Sequence, residues 1–322
     1  MTGIDVQKAL LTTTNSGAEL ATILDPVIQR TLNDVATMRN LISRPANIGK
    51  WATWVANTGR NTSTGSMGEW DPVTTGNQVR VQPQATMKII KVGVEVSDLM
   101  IEAARRGGSP IGDMLAEEVL MATKDVMVEE NKQIFGESTS PTGTGSYITS
   151  LKQIIDDGTN YSTVYDQTRS ASAADDWLDG TLVDAASGAV SYDLLQQAKR
   201  ACLEKGAQKR DLMFVSDHTQ LDLCLQLFQD QQRFVGKTQL AAGFGDTPTV
   251  DGIPWYADVD CTASVIYAVD RSVFSMRVLK EFGIKNLPTN KLGEVRAIAA
   301  FEELVCKQPS RNAQIHTLAT TL

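Results

Sequence analysis

The sequence contains no run of ~18 apolar residues and no basic N-terminal stretch ahead of an apolar core, so neither a membrane-spanning helix nor a secretory signal is expected. Met1-Thr2-Gly3-Ile4-Asp5 is consistent with a soluble, cytosolically made chain. Basic residues are also short: 30 Lys+Arg stand against 38 Asp+Glu, a net charge of -8 at pH 7. Gripping nucleic acid through its phosphates needs a cationic patch, so sequence-reading DNA or RNA binding is not expected. Four cysteines (Cys202, Cys224, Cys261, Cys306) are widely spaced, with no C-x-x-C pair, and read as buried reduced thiols.

Histidine is scarcer still. His218 reads as the start of a helix and His316 as part of a frayed C-terminus, which leaves little for His-based acid/base or nucleophilic catalysis. The pairs Asp156-Asp157 and Asp175-Asp176 fall in turns, where carboxylates are usually solvated, and further oxygen ligands at metal-binding spacing are missing. Gly236-Lys237-Thr238 ends like a phosphate loop, but Gln231 stands where the motif needs glycine. G-x-G-x-x-G after a strand, G-x-S-x-G and H-E-x-x-H are all absent. No catalytic residue, metal or cofactor is therefore expected.

What is present is architecture. The 322 residues correspond, at ~150 per domain, to about two domains or one core with large excursions. A polar, Thr-rich start gives way to apolar positions at helical spacing from Leu20 to Leu32, interrupted by Pro26. Lys50 to Val96 reads as one long β-hairpin with a Gly/Thr/Ser/Asn-rich tip. A two-stranded ribbon is marginal in water, and three of the five tryptophans (Trp51, Trp54, Trp70) fall in it, so it is expected to lie on another subunit. Ser109-Pro110 and Gly136 bracket one long helix with an apolar stripe through Leu115, Val119, Ala122, Val126 and Ile134. Glu129, Glu130 and Lys132 are assigned to its other faces. Glu137 to Ala189 reads as surface loop. A helix capped by Ser191, a strand Leu212–Val215, a helix from Ser216-Asp217, and strands at 253–256, 265–269, 273–278 and 295–306 complete the chain.

Gly17-Ala18-Glu19-Leu20-Ala21, Gly68-Glu69-Trp70, the strand-to-helix run Lys88 to Met100, Asp211 to Val215, Gln232-Arg233-Phe234 and Val250 to Asp258 follow one another along the chain. In this order they resemble the major capsid proteins of tailed bacteriophages. The resemblance spans about residues 17 to 306. It implies an α+β fold with an N-terminal arm (1–22), a helical lead-in (23–47), an extended E-loop hairpin (48–93), and a peripheral P-domain with the spine helix (94–144). An axial A-domain (145–265) and returning strands with the C-terminus (266–322) would follow. It also implies a non-enzymatic shell protein forming hexamers and pentamers of an icosahedral virion capsid, assembled in the host cytoplasm around double-stranded DNA held without sequence-specific contacts. A separate scaffolding protein, a portal and a decoration protein are the implied partners. An encapsulin shell of the same fold is the alternative, and an α/β enzyme a more distant one.

Trp51, Trp54, Arg60, Glu69 and Trp70 are the expected neighbour contacts from the E-loop, and Arg233, Phe234 and Lys237 those at the axial end. Two departures from the family pattern carry expectations. Trp51 to Met87 contains no lysine, so a non-covalent shell is expected where some relatives crosslink. The arm starts at once, where some relatives begin with a scaffolding domain, so the scaffold is expected to be a separate chain or absent.

Overall fold

A computed structural model describes residues 35–106, 114–137, 147–169, 177–232 and 249–321, with the side chains at 103–106, 114 and 227–232 left aside. The N-terminal arm, Ser109-Pro110, Asp175-Asp176 and the three axial candidates Arg233, Phe234 and Lys237 lie outside the described residues. The described chain divides into two units. One holds Lys91–Asp125 and Ile284–Ile298, the other Val35–Ile90, Val126–Gly283 and the segment from Ala299 onward.

In the second unit a one-turn helix, α1 (Thr37–Leu41), buries Met38. The chain then bridges Ser43 to Ser275 and Ala46 to Val278 before entering the hairpin. The hairpin is two short ladders. β1 (Trp51–Thr53) and β2 (Ala56–Gly59) go out, and β3 (Val79–Val81) and β4 (Gln84–Thr86) return. Trp51 lies opposite Thr86, and Ala56 opposite Val81. The polar tract between β2 and β3 lacks the alternation that a buried face would need, and it forms no strand. The ribbon is thus shorter than the sequence suggested. Ile89 belongs to β5 (Lys88–Ser97), which joins a different sheet.

β5 ends in Val96-Ser97 and runs straight into α2 (Asp98–Arg106), as the resemblance implies. The long helix α3 (Met114–Phe135) buries Leu115, Val119 and Ala122 in the first unit and Val126, Ile134 and Phe135 in the second. It stops in a Schellman motif: Gly136 takes φ +77°, its N–H donates to the Gln133 carbonyl, and the Glu137 N–H donates to that of Lys132. Glu130 corrects the sequence reading. It is fully buried, because arginines from elsewhere in the chain come to meet it.

The stretch read as surface loop carries core. A capping box between Ser150 and Gln153 starts α4 (Leu151–Ile154), whose Leu151 and Ile154 are buried together with Ile148 and Ile155. β6 (Thr163–Val164) and β7 (Gln167–Thr168) then form a hairpin turned by Tyr165 and Asp166, both at positive φ, as a two-residue primed turn requires. Asp156, expected to be solvated, is buried. Its carboxylate accepts the N–H groups of Gly158, Asn160 and Tyr161. Buried Arg169 lies beside it and donates to the carbonyls of Gln153, Ile154 and Tyr161.

The remaining elements are β8 (Thr181–Asp184), α5 (Tyr192–Glu204, capped by Ser191), β9 (Leu212–Ser216), α6 (His218–Gln232), β10 (Thr249–Val250), β11 (Ile253–Ala257), β12 (Ile266–Asp270), β13 (Phe274–Leu287), β14 (Gly293–Cys306) and β15 (Ala313–His316). β13, β14 and β5 make a three-stranded sheet in that order, and β10-β11-β9-β12-β15-β8 a six-stranded one. On one face of the larger sheet, Leu212, Phe214, Trp255, Ile266, Ala268 and Ile315 pack with Leu195, Ala198 and Cys202 of α5. Tyr267 points to the other face and meets Phe135 of α3, with ring centroids 6.1 Å apart. Helices on both faces make β9 and β12 buried at every position, which is why they read as continuous apolar runs. The C-terminus is not frayed here. β15 lies between β12 and β8, so His316 sits in the sheet, and the domain boundary drawn at residue 265 cuts through this sheet.

Candidate assembly surface

Among the described residues, no group of three or more His, Cys, Asp or Glu is placed to hold a metal. All four cysteines are free and buried. Burial pushes the thiols of Cys202 and Cys224 up to about 12, and those of Cys261 and Cys306 upward as well, so none is a nucleophile near neutral pH. His218 is exposed at the start of α6, and His316 stands 3.8 Å from the Asp184 carboxylate. No described helix is long and apolar enough to cross a membrane.

What the chain does display is the hairpin, held at its root by two devices. The first is a buried ionic cluster. Arg44, in the lead-in, bridges the carboxylates of Glu130 on α3 and Glu302 on β14, while Arg39 Nε lies 2.6 Å from Glu130. Desolvation, reinforced by repulsion from Glu130 and opposed by Arg44, raises the Glu302 carboxyl to about 8. Beside it, burial raises Glu303 to about 7, although its carboxylate accepts the Thr149 N–H. Asn131 adds a neutral clamp, accepting the Arg39 N–H and donating to Asp258, which in turn accepts the N–H of Met38. The second device is Tyr165. Its hydroxyl donates to the Leu304 carbonyl and accepts the Cys306 N–H. Its carbonyl accepts the Gln84 N–H, and its ring meets Trp54 edge-on at 5.1 Å.

Beyond the root the hairpin is dressed for contact. Trp51, Val55, Met67, Trp70, Val73 and Val79 are all exposed, Trp70 at 91%. A tight turn presents that indole: the Asp71 N–H donates to the Gly68 carbonyl, and the Asp71 carboxylate accepts the Gly68 N–H at 2.8 Å. Glu69 and Trp70 occupy the apex. A Cβ at Gly68 would come within 2.9 Å of the Asp71 carboxylate, so a larger residue there would push that acceptor aside.

Of the five hairpin candidates, Trp51, Arg60, Glu69 and Trp70 are exposed on the ribbon. Trp54 differs: it is half-buried against Tyr165 of its own chain, and no neighbour is needed to account for its packing. Sequence reasoning missed the root residues Arg39, Arg44, Glu130, Glu302 and Tyr165. Their partners lie 81 to 258 positions apart along the chain, a separation that no local pattern signals.

The sequence matches the family described as SU10 major capsid protein over residues 12–319. The chain belongs to that family. A major capsid protein is structural rather than enzymatic, and the exposed ribbon is part of a shell protein. No curated protein matches the sequence. Among solved structures, the fold is similar to the capsid of cyanophage A-1(L), with a TM-score of 0.74 at 15% identity, covering 97% of this chain and 100% of that one. It is also similar to the capsid of cyanophage P-SCSP1u, with a TM-score of 0.63 at 10% identity and 92% of each chain covered. The encapsulin complex of Synechococcus elongatus follows, with a TM-score of 0.61 at 9% identity, covering 95% of this chain and 96% of that one. At these identities the structural likeness establishes the fold, and the family match favours the capsid over the encapsulin.

Proposed function

We propose that this capsid protein assembles into hexamers and pentamers of an icosahedral virion shell around double-stranded DNA, in the host cytoplasm. The observation that carries this reading is the family match over nearly the whole chain, joined to a hairpin that exposes apolar side chains along its length. In this reading the hairpin is the E-loop, lying across a neighbouring subunit through Trp51, Arg60, Glu69 and Trp70. Patches of this kind mark interaction sites on otherwise polar surfaces. The net charge of -8 suits a wall that encloses DNA without gripping it. Scaffold, portal and decoration proteins are the partners such a shell would engage.

Sedimentation of the purified protein, followed by negative-stain microscopy of the fast fraction, tests the reading. Uniform hollow particles, formed alone or with co-expressed neighbouring genes, are the expected outcome. A monomer near 34.9 kDa under both conditions would overturn it. DNA in particles from infected cells, rather than an enzyme cargo, would separate capsid from encapsulin. With no lysine from Trp51 to Met87, the shell should run as monomer on a boiled denaturing gel.

A further inference from the structure

The apex of the hairpin and a cavity at its root are chemically matched. At the apex, the Gly68–Asp71 turn projects an uncovered indole between two carboxylates, Glu69 and Asp71. At the root, a cavity of about 370 Å³ is lined by Trp54 and Trp177, by Lys205, Lys307 and Gln308, and by neighbouring small residues. That volume lies in the range of sites that enclose small organic groups, ~300–1,000 Å³. Both lysines are exposed, and neither has a carboxylate partner among the described residues. The buried indole N–H of Trp54 also finds no acceptor among the described residues. Trp70 does not fill this cavity within one copy, since it remains almost wholly exposed.

We propose that the cavity receives the hairpin apex of a second copy, with Trp70 seated between Trp54 and Trp177 and the Glu69 and Asp71 carboxylates facing Lys205 and Lys307. This rests on the shell reading above and names the receptor surface for its hairpin. Charge complementarity selects the occupant: on a chain with an acidic surplus, two unpaired lysines around an aromatic cavity favour an apex that is itself aromatic and acidic. Tryptophan is also the residue whose burial most often dominates an interface. The same lysines would hold the incoming indole by cation–π attraction.

A crosslink and a charge swap test the proposal. The double variant E69C/Q308C, which keeps the Trp70 anchor, assembled under reducing conditions and then oxidised, should give a ladder of disulfide-linked copies on a non-reducing gel. Each single variant should give monomer, because the native cysteines are buried. K205E/K307E should lower the assembled fraction by about 10-fold or more, since like charges would then face each other. Adding E69K in the same chain, which leaves the Asp71 turn intact, should recover the assembled fraction by about 3-fold or more. Particles that form from the crosslink variant without a ladder, together with no rescue by the charge swap, would overturn the proposal and leave the shell reading intact. Loss of assembly in K205E/K307E without rescue would assign the cavity to another occupant, which also overturns it. Failure of the unmodified protein to form particles, with its partners present, would remove the shell reading itself.

Discussion

The six-stranded sheet and the hairpin belong to the same unit, yet they settle opposite problems. In the sheet, β9 and β12 are buried at every position between helices from their own chain. In the hairpin, β1 buries only Ala52, β2 and β3 bury nothing fully, and Trp51 and Trp70 face solvent. Apolar area removed from water stabilises a fold at roughly 25 cal/mol per Å². The sheet collects that stabilisation as a single copy, whereas the hairpin can collect it only in company. Between the two stands the root, where buried charges and one tyrosine hold the ribbon to the body.

Breaking the sheet should have the largest effect on folding. Trp255 is buried, tilts onto Phe214 at 5.5 Å, and donates its indole N–H to the Ser216 hydroxyl. Trp255→Ala is expected to lower the unfolding free energy by about 3–5 kcal/mol in urea titration, with assembly lost as a consequence. At the root, Arg44→Ala removes the donor shared by Glu130 and Glu302 while Arg39 still faces Glu130, and should cost about 1–3 kcal/mol by the same measurement.

The pH dependence of the root has a definite sign. The folded-state pKa of Glu302, about 8, lies above its ordinary 4.5, so the folded chain holds a proton that the unfolded chain has lost. The stability this proton supports is fully present below about 4.5 and is lost as pH rises through about 8. Glu303, raised to about 7, acts in the same direction. Thermal midpoints should therefore fall across that window, and Glu302→Gln, which keeps the neutral shape, should flatten the decline. A steeper decline in the variant would reject this assignment.

Tyr165→Phe removes an acceptor from the buried Cys306 N–H, and a loss of about 1–3 kcal/mol is expected in calorimetry. The smallest effect on folding belongs to the apex. Trp70→Ala should shift monomer stability by no more than about 0.5 kcal/mol while lowering the assembled fraction in sedimentation. Equal losses in both assays would erase the distinction between sheet and hairpin.

The sequence alone determined a good deal. The runs Leu212–Val215 and Val265–Val269 announce buried strands, Ser191 and Gly136 mark helix ends, and the ordered segments from Gly17 to Asp258 point to the capsid family. These signals are legible because they depend on neighbours a few residues away or on motif order. Tertiary structure alone decided the rest. Glu130 looks like a solvated helix residue until Arg39 and Arg44 close over it, and Asp156 looks like a turn carboxylate until Arg169 and three N–H groups enclose it. His316 looks like a loose end until β15 enters the sheet between β12 and β8. In each case the side chain's environment is made by segments far away in sequence, and periodicity carries information only about the near ones.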